Sequence, residues 1–108
     1  SHESDAHLKG VVGLDCEWCP PWFRDDKPER VCTIQIYCPH TDALVLSVSD
    51  MDTLPPVLEK LLADKTVAKL GVNIVGDGAR LARDFGCPVS GLYNLEKGHC
   101  KRVTMESL

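Results

Sequence analysis

The eight residues Val11 to Trp18, VVGLDCEW, constrain the fold more than any other part of the chain. Side chains alternate between the two faces of a pleated strand, so Val12, Leu14, Cys16 and Trp18 share an apolar face and Val11, Gly13, Asp15 and Glu17 share the other. Such a strand belongs in a sheet with one buried face, and it sets two carboxylates side by side. At i and i+2 they lie roughly 6–7 Å apart and, at an effective dielectric of about 20, repel by about 2–3 kcal/mol before any desolvation. A compensating group is therefore expected near Asp15 and Glu17.

The rest of the chain supplies partners for that strand. CPPWFRDDKPER, rich in Pro and charge, is a loop. VCTIQIYC (Val31 to Cys38) alternates Cys32, Ile34, Ile36 and Cys38 against Val31, Thr33, Gln35 and Tyr37. After the turn PHTDA, the run LVLSVS puts Leu44, Leu46 and Val48 on one face. Three sequential strands with short connections predict an antiparallel meander. Leu54, Val57, Leu58, Leu61 and Leu62 repeat at the spacing of one helical face, with Asp52 or Thr53 as cap and Pro55 and Pro56 in the first turn. VAKLGVNI (Val67 to Ile74) predicts a fourth strand, reached by a helical crossover and so parallel to a neighbour. A second helix follows through GDGARLARDF and stops at Gly86. SGLYNLE is a candidate short strand, VTMESL has the pattern of another helix beginning, and residues 1–9 are expected to form a flexible terminus.

A length of 108 residues, with 44% hydrophobic and 26% charged, suits one modest soluble domain. No apolar run reaches the length of a membrane span, and SHESDAHLKG lacks both the basic start and the apolar core of a signal peptide; an intracellular protein without a membrane partner is expected. Six cysteines, at 16, 19, 32, 38, 87 and 100, lie mostly in apolar runs and are expected to be reduced. Cys16 and Cys19, with Cys38 and His40, have the spacing of zinc ligands. In an antiparallel hairpin, however, Cys32 returns near Cys19 while Cys38 lies roughly 20 Å away, which favours structural thiols over a zinc-dependent interaction domain. The formal net charge of −4 gives no basic field, so a phosphate partner needs local cations or metal ions.

A third acid stands out in the second helix. Asn73, Asp77, Leu81 and Phe85 are spaced by four residues, so Asp77 shares a stripe with residues that face the sheet, whereas Arg80, Arg83 and Asp84 point elsewhere and can be solvated. Taken singly, a strand Asp or Glu is as a rule a solvated side chain, and Asp77 alone can cap or pair with a neighbouring Arg or Lys. Taken together, Asp15, Glu17 and Asp77 admit either solvated faces or a cation between them. Hard oxygen ligands of this kind suit Mg²⁺ or Mn²⁺, whose usual task is phosphate chemistry.

At these residues the sequence resembles a known family. VVGLDCEW, CTIQIY, the Leu-rich helix and KLGVNIVGDGARLARDFG are similar to the DEDD superfamily of 3′–5′ exonucleases, in the branch that contains the Werner syndrome exonuclease and ribonuclease D. Asp15 and Glu17 match the first exonuclease motif and Asp77 the acid of the second. The resemblance implies an α/β, ribonuclease H-like mixed sheet, an antiparallel three-strand meander plus a parallel strand, with flanking helices. It also implies two-metal hydrolysis of DNA or RNA at a 3′ end, with Mg²⁺ or Mn²⁺ as cofactor. Asp15 would bridge both ions, Glu17 would hold the one on the nucleophile side, and Asp77 would support the other.

The match breaks at the third motif, a Tyr or His followed by the fourth acid. Tyr93 is followed by Asn94, Leu95, Glu96 and Lys97, so YNLEK does not supply it. Residues 1–108 are therefore expected to be the N-terminal part of a larger exonuclease domain, inactive alone, with a sheet face left uncovered and open to self-association. Trp22, Phe23 and Arg24 adjoin the first motif and are candidates to hold nucleic acid, the aromatics by stacking on the terminal base and Arg24, with Lys27 and Arg30, on phosphate; packing of a Pro-rich loop and solvated charge are the plainer alternatives, and Trp18 is expected on the apolar face. The competing function is a degenerate exonuclease-fold module that binds nucleic acid or a protein without cutting.

Overall fold

A computed structural model of the chain describes residues 8–20, 22 and 29–96, with the backbone of 99–103. The alternating runs form β1 (Gly10–Trp18), β2 (Val31–Tyr37) and β3 (Leu44–Ser47). Helix α1 (Pro56–Ala63) leads to β4 (Val67–Gly71), and α2 (Ile74–Phe85) leads to β5 (Leu92–Glu96) and β6 (His99–Val103). The six strands form one sheet in the order β3-β2-β1-β4-β5-β6. β1, β2 and β3 pair antiparallel, as the meander requires, and the helical crossovers set β4 parallel to β1 and β5 parallel to β4. This is the mixed α/β sheet expected from the sequence.

Val12, Leu14 and Cys16 of β1 join Ile34 and Ile36 of β2, Leu92 of β5 and the inward residues of both helices in a single core. Leu54, Leu58 and Leu62 enter that core as the helical spacing requires, but Val57, expected on the same face, is 83% exposed. Pro55 takes the N-cap position of α1 without a side-chain hydrogen bond, so neither Asp52 nor Thr53 caps it. Lys69, in the middle of β4, is fully buried; its Nζ donates to the Asp64 carbonyl at 2.5 Å, and burial pushes its pKa down to about 8.

The strand expected over Val67 to Ile74 ends earlier, at Gly71. Asn73 adopts a left-handed conformation, with φ of 55°, which turns the chain so that Ile74 opens α2 as a buried helix residue. At its other end α2 stops at Gly86, also left-handed. Val103, placed by the sequence pattern at the start of a helix, ends β6; the rest of that expected helix, like most of residues 1–9, lies outside the described residues.

Candidate active site

Strand β1 has unequal neighbours along its length. β2 accompanies it to Trp18, whereas the pairing with β4 ends at Gly13, opposite Leu70. One edge of β1 is thus left without a strand partner beyond Leu14. Gly71 still passes close to that edge, where a Cβ would lie 2.5 Å from the Leu14 carbonyl oxygen and only glycine fits. The chain then turns into α2, whose start is tied to β5 by the Ile74 N–H, which donates to Asn94 Oδ1 at 3.2 Å. The first turn of α2 brings Asp77 to that edge.

Asp77 is 4% exposed, and one of its oxygens, Oδ2, is buried without a hydrogen-bond partner. The Cys16 N–H donates to Asp15 Oδ1 at 3.0 Å and is also within hydrogen-bonding reach of the Asp77 carboxylate. Two carboxylates therefore draw on one backbone donor. Burial, and then the negative charge of Asp15, push the Asp77 pKa up to about 7 against the Cys16 N–H and the cation of Arg80. The buried Cys16 thiol is pushed up as well, by desolvation first and then by the charges of Asp77 and Asp15.

Asp15 and Glu17 are both exposed on the outer face of β1, opposite Gln35 and Thr33 of β2. The structure brings Asp15 and Asp77 into direct electrostatic contact. Glu17 lies two residues along the same face but does not close the set: among the described residues, no three His, Cys, Asp or Glu side chains are grouped as a metal site.

The aromatic and basic candidates divide differently. Trp22 is 81% exposed; Phe23, Arg24 and Lys27 lie outside the described residues. Arg30, a candidate for phosphate, is instead 2% exposed. Its guanidinium stacks on Phe85 at 4.8 Å and donates to the Met51 carbonyl, so it belongs to the core. Trp18 keeps to the helix-covered side of β1 but is not buried there. The β1–β2 register shift falls on β2, where Cys32 is the extra residue, so that Trp18 opposes the core residue Val31; at this strand end the indole is 39% exposed and lies beneath the guanidinium of Arg80 at 4.0 Å. Asp84, expected to be solvated, is largely buried and accepts the Val31 N–H at 2.8 Å. Sequence reasoning missed Arg80 as a neighbour of the site; its position three residues after Asp77 on a helix was the available signal.

A 3′-5′ exonuclease family model matches residues 2–103. The bifunctional 3′-5′ exonuclease/ATP-dependent helicase WRN of Mus musculus is 36% identical over 85 residues, which are 79% of this chain and 6% of that protein. The crystal structure of the EXD2 exonuclease domain superposes with a TM-score of 0.67 at 28% identity, covering 87% of this chain and 49% of that one. The same domain soaked in Mn and Mg gives 0.66 at 29% identity, covering 79% of this chain and 42% of that one. The chain thus spans about half or less of the solved chains and a small part of the longer relative.

Proposed function

The chain belongs to the 3′-5′ exonuclease family, and from that premise we propose that Asp15, Glu17 and Asp77 hold Mg²⁺ or Mn²⁺ where a phosphodiester bond of DNA or RNA is hydrolysed from the 3′ end. The observation that carries this reading is the buried, unpartnered Oδ2 of Asp77 beside the charge of Asp15. A buried carboxylate oxygen without a donor is costly, and a second carboxylate nearby raises that cost. A divalent cation relieves both, and an all-oxygen donor set suits Mg²⁺ or Mn²⁺. The crystals of the EXD2 domain soaked in Mn and Mg point the same way. When bound, such ions supply positive charge opposite the phosphate and make a water molecule more acidic.

The chain's own contribution is rigidity. Asp15 and Glu17 are fixed on a strand and Asp77 on the first turn of a helix anchored to β5, so Asp15 and Asp77 are held beside one another and Glu17 must swing in to complete the set. The exposed Trp22, with Phe23 and Arg24, is proposed to meet the terminal nucleotide, where an aromatic face serves any base. Residues 1–108 carry the acids of the first two motifs as part of a larger domain and do not cleave alone. The outer face of the sheet is proposed to mediate self-association.

Calorimetric titration of the 108-residue chain with MnCl₂ tests the cation site. Binding is expected, weakened by about tenfold or more in Asp15→Asn and Asp77→Asn. Absence of binding by the unaltered chain would remove the proposal. Metal binding together with an inactive longer protein that still retains a labelled oligonucleotide would favour the non-cutting module.

A further inference from the structure

Arg80 stands one turn beyond Asp77 and faces the end of β1. Its guanidinium lies over Trp18, its Nη1 donates to the Glu29 carbonyl at 3.0 Å, and its Nη2 is 3.5 Å from Glu29 Oε1. Its charge also reaches the Asp77 carboxylate. An ion pair this accessible contributes little to stability, so the Glu29 contact alone does not account for the arrangement.

The next turn of α2 makes the contrast. Arg83 Nη2 donates to the same Glu29 carbonyl at 3.2 Å, and its Nε donates to Asp84 Oδ1 at 2.7 Å. Asp84 is largely buried and holds the Val31 N–H, so Arg83 cannot leave without stripping a buried carboxylate of its cation. Arg80 can leave, because the Glu29 carbonyl keeps Arg83 and the Glu29 carboxylate is exposed to water. What remains to hold Arg80 is the face of the Trp18 indole at the end of β1. A planar guanidinium resting on an aromatic face keeps its N–H edge free and loses little further freedom on gaining a bidentate partner.

On the exonuclease reading of Asp15, Glu17 and Asp77, which it presupposes, we infer that Arg80, stacked on Trp18, binds a backbone phosphate of the single-stranded nucleic acid, and that Glu29 occupies the guanidinium until the strand displaces it. The chain's net charge of −4 and the acids at the site repel a polyanion, so a strand needs a cation at this point. The guanidinium fork matches a phosphate as it does a carboxylate, which is how Glu29 comes to be its resting partner.

The test is fluorescence anisotropy of a labelled single-stranded oligothymidylate with the 108-residue chain, in EDTA, across salt concentration. Arg80→Gln is expected to lower the magnitude of the slope of log K against log salt by about 0.7, the value for one phosphate contact on a single strand. Arg80→Lys keeps the slope, because the charge remains. Arg83→Gln lowers the melting temperature and leaves the slope unchanged. An unaltered slope in Arg80→Gln, an equal fall in Arg80→Gln and Arg83→Gln, or no binding by the unaltered chain overturns the assignment. Because the readout needs no divalent ion, an Arg80-dependent slope alongside absent Mn²⁺ binding would sink the metal-site reading while leaving the phosphate contact in place.

Discussion

Folding carries the Asp77 carboxyl out of water, and burial followed by the charge of Asp15 raises its pKa from 3.8 to about 7. The folded protein therefore holds this proton more tightly than the unfolded chain does. The contribution is fully present below the unfolded value and is lost as pH rises through about 7, opposite to the behaviour of a salt-bridged acid. In chelator, Asp77→Asn should be nearly neutral at about pH 4 and stabilising at about pH 8, by up to roughly 4 kcal/mol if the whole shift is expressed. Urea melts of both proteins at the two pH values check this, and an equal difference at both would show that the carboxyl is not strained. Adding Mn²⁺ at the higher pH should close the gap by stabilising only the acid. The special position of Asp77 was legible because a four-residue repeat fixes which way a helix residue faces. The exposure of Trp18 was not, since it depends on what covers the end of β1, which is the Arg80 guanidinium from a distant helix. Asp84 was missed because its partner, the Val31 N–H, is 53 residues away in sequence.

The segment between β1 and β2 is rooted by its two ends and by α2. The Cys19 N–H donates to the Arg30 carbonyl at 2.8 Å, Glu29 takes a left-handed φ of 57° that presents its carbonyl to Arg80 and Arg83, and Arg30 lies in the core against Phe85. Asp84 ties this root to the helix that carries Asp77. Removing it orphans the buried Val31 N–H and frees Arg83, so Asp84→Ala should cost about 1–3 kcal/mol at neutral pH in a denaturant melt. Burial alone would raise the Asp84 pKa, but hydrogen bonds from Arg83 and the Val31 N–H, with the charges of Arg83 and Arg30, bring it below the ordinary value. Its stabilisation is therefore full above the unfolded pKa and is lost as pH falls through the lower folded one, so the cost of Asp84→Ala should shrink in acid. A cost that grows in acid would contradict this. At this scale β1 to β3 were legible because a period of two is a local property of the sequence. The end of β4 was not, because Val72 continues an apolar run while the turn at Asn73 is set by backbone conformation. β6 escaped notice because HCKRV has no alternation of apolar residues to mark a strand.

Both helices send their inward residues into one core, and the opposite face of the sheet has a different character. Register aligns Tyr37, Gly13, Leu70 and Tyr93 in a row across β2, β1, β4 and β5, with Tyr37 packed over the space that Gly13 leaves. Val11, Val45 and Leu95 are exposed on that same face. Apolar side chains spread over several adjacent strands form a patch of the kind that soluble monomers seldom leave open. Solved relatives are about twice as long as this chain, which offers one cover, the remainder of such a domain in the same polypeptide. For the 108 residues by themselves the available cover is a second copy, laid face to face. Sedimentation velocity should then give a weight-average mass that rises with concentration above that of one chain, and Val11→Lys, which sets a charge near the middle of the patch, should return it to the monomer. Val45→Pro separates this from edge pairing. It removes an N–H from edge strand β3 and would abolish association through that edge, but it leaves the central row of a face-to-face dimer in place. A mass that stays at one chain throughout, or association lost in Val45→Pro and retained in Val11→Lys, would show that the exposed row is not what draws two copies together.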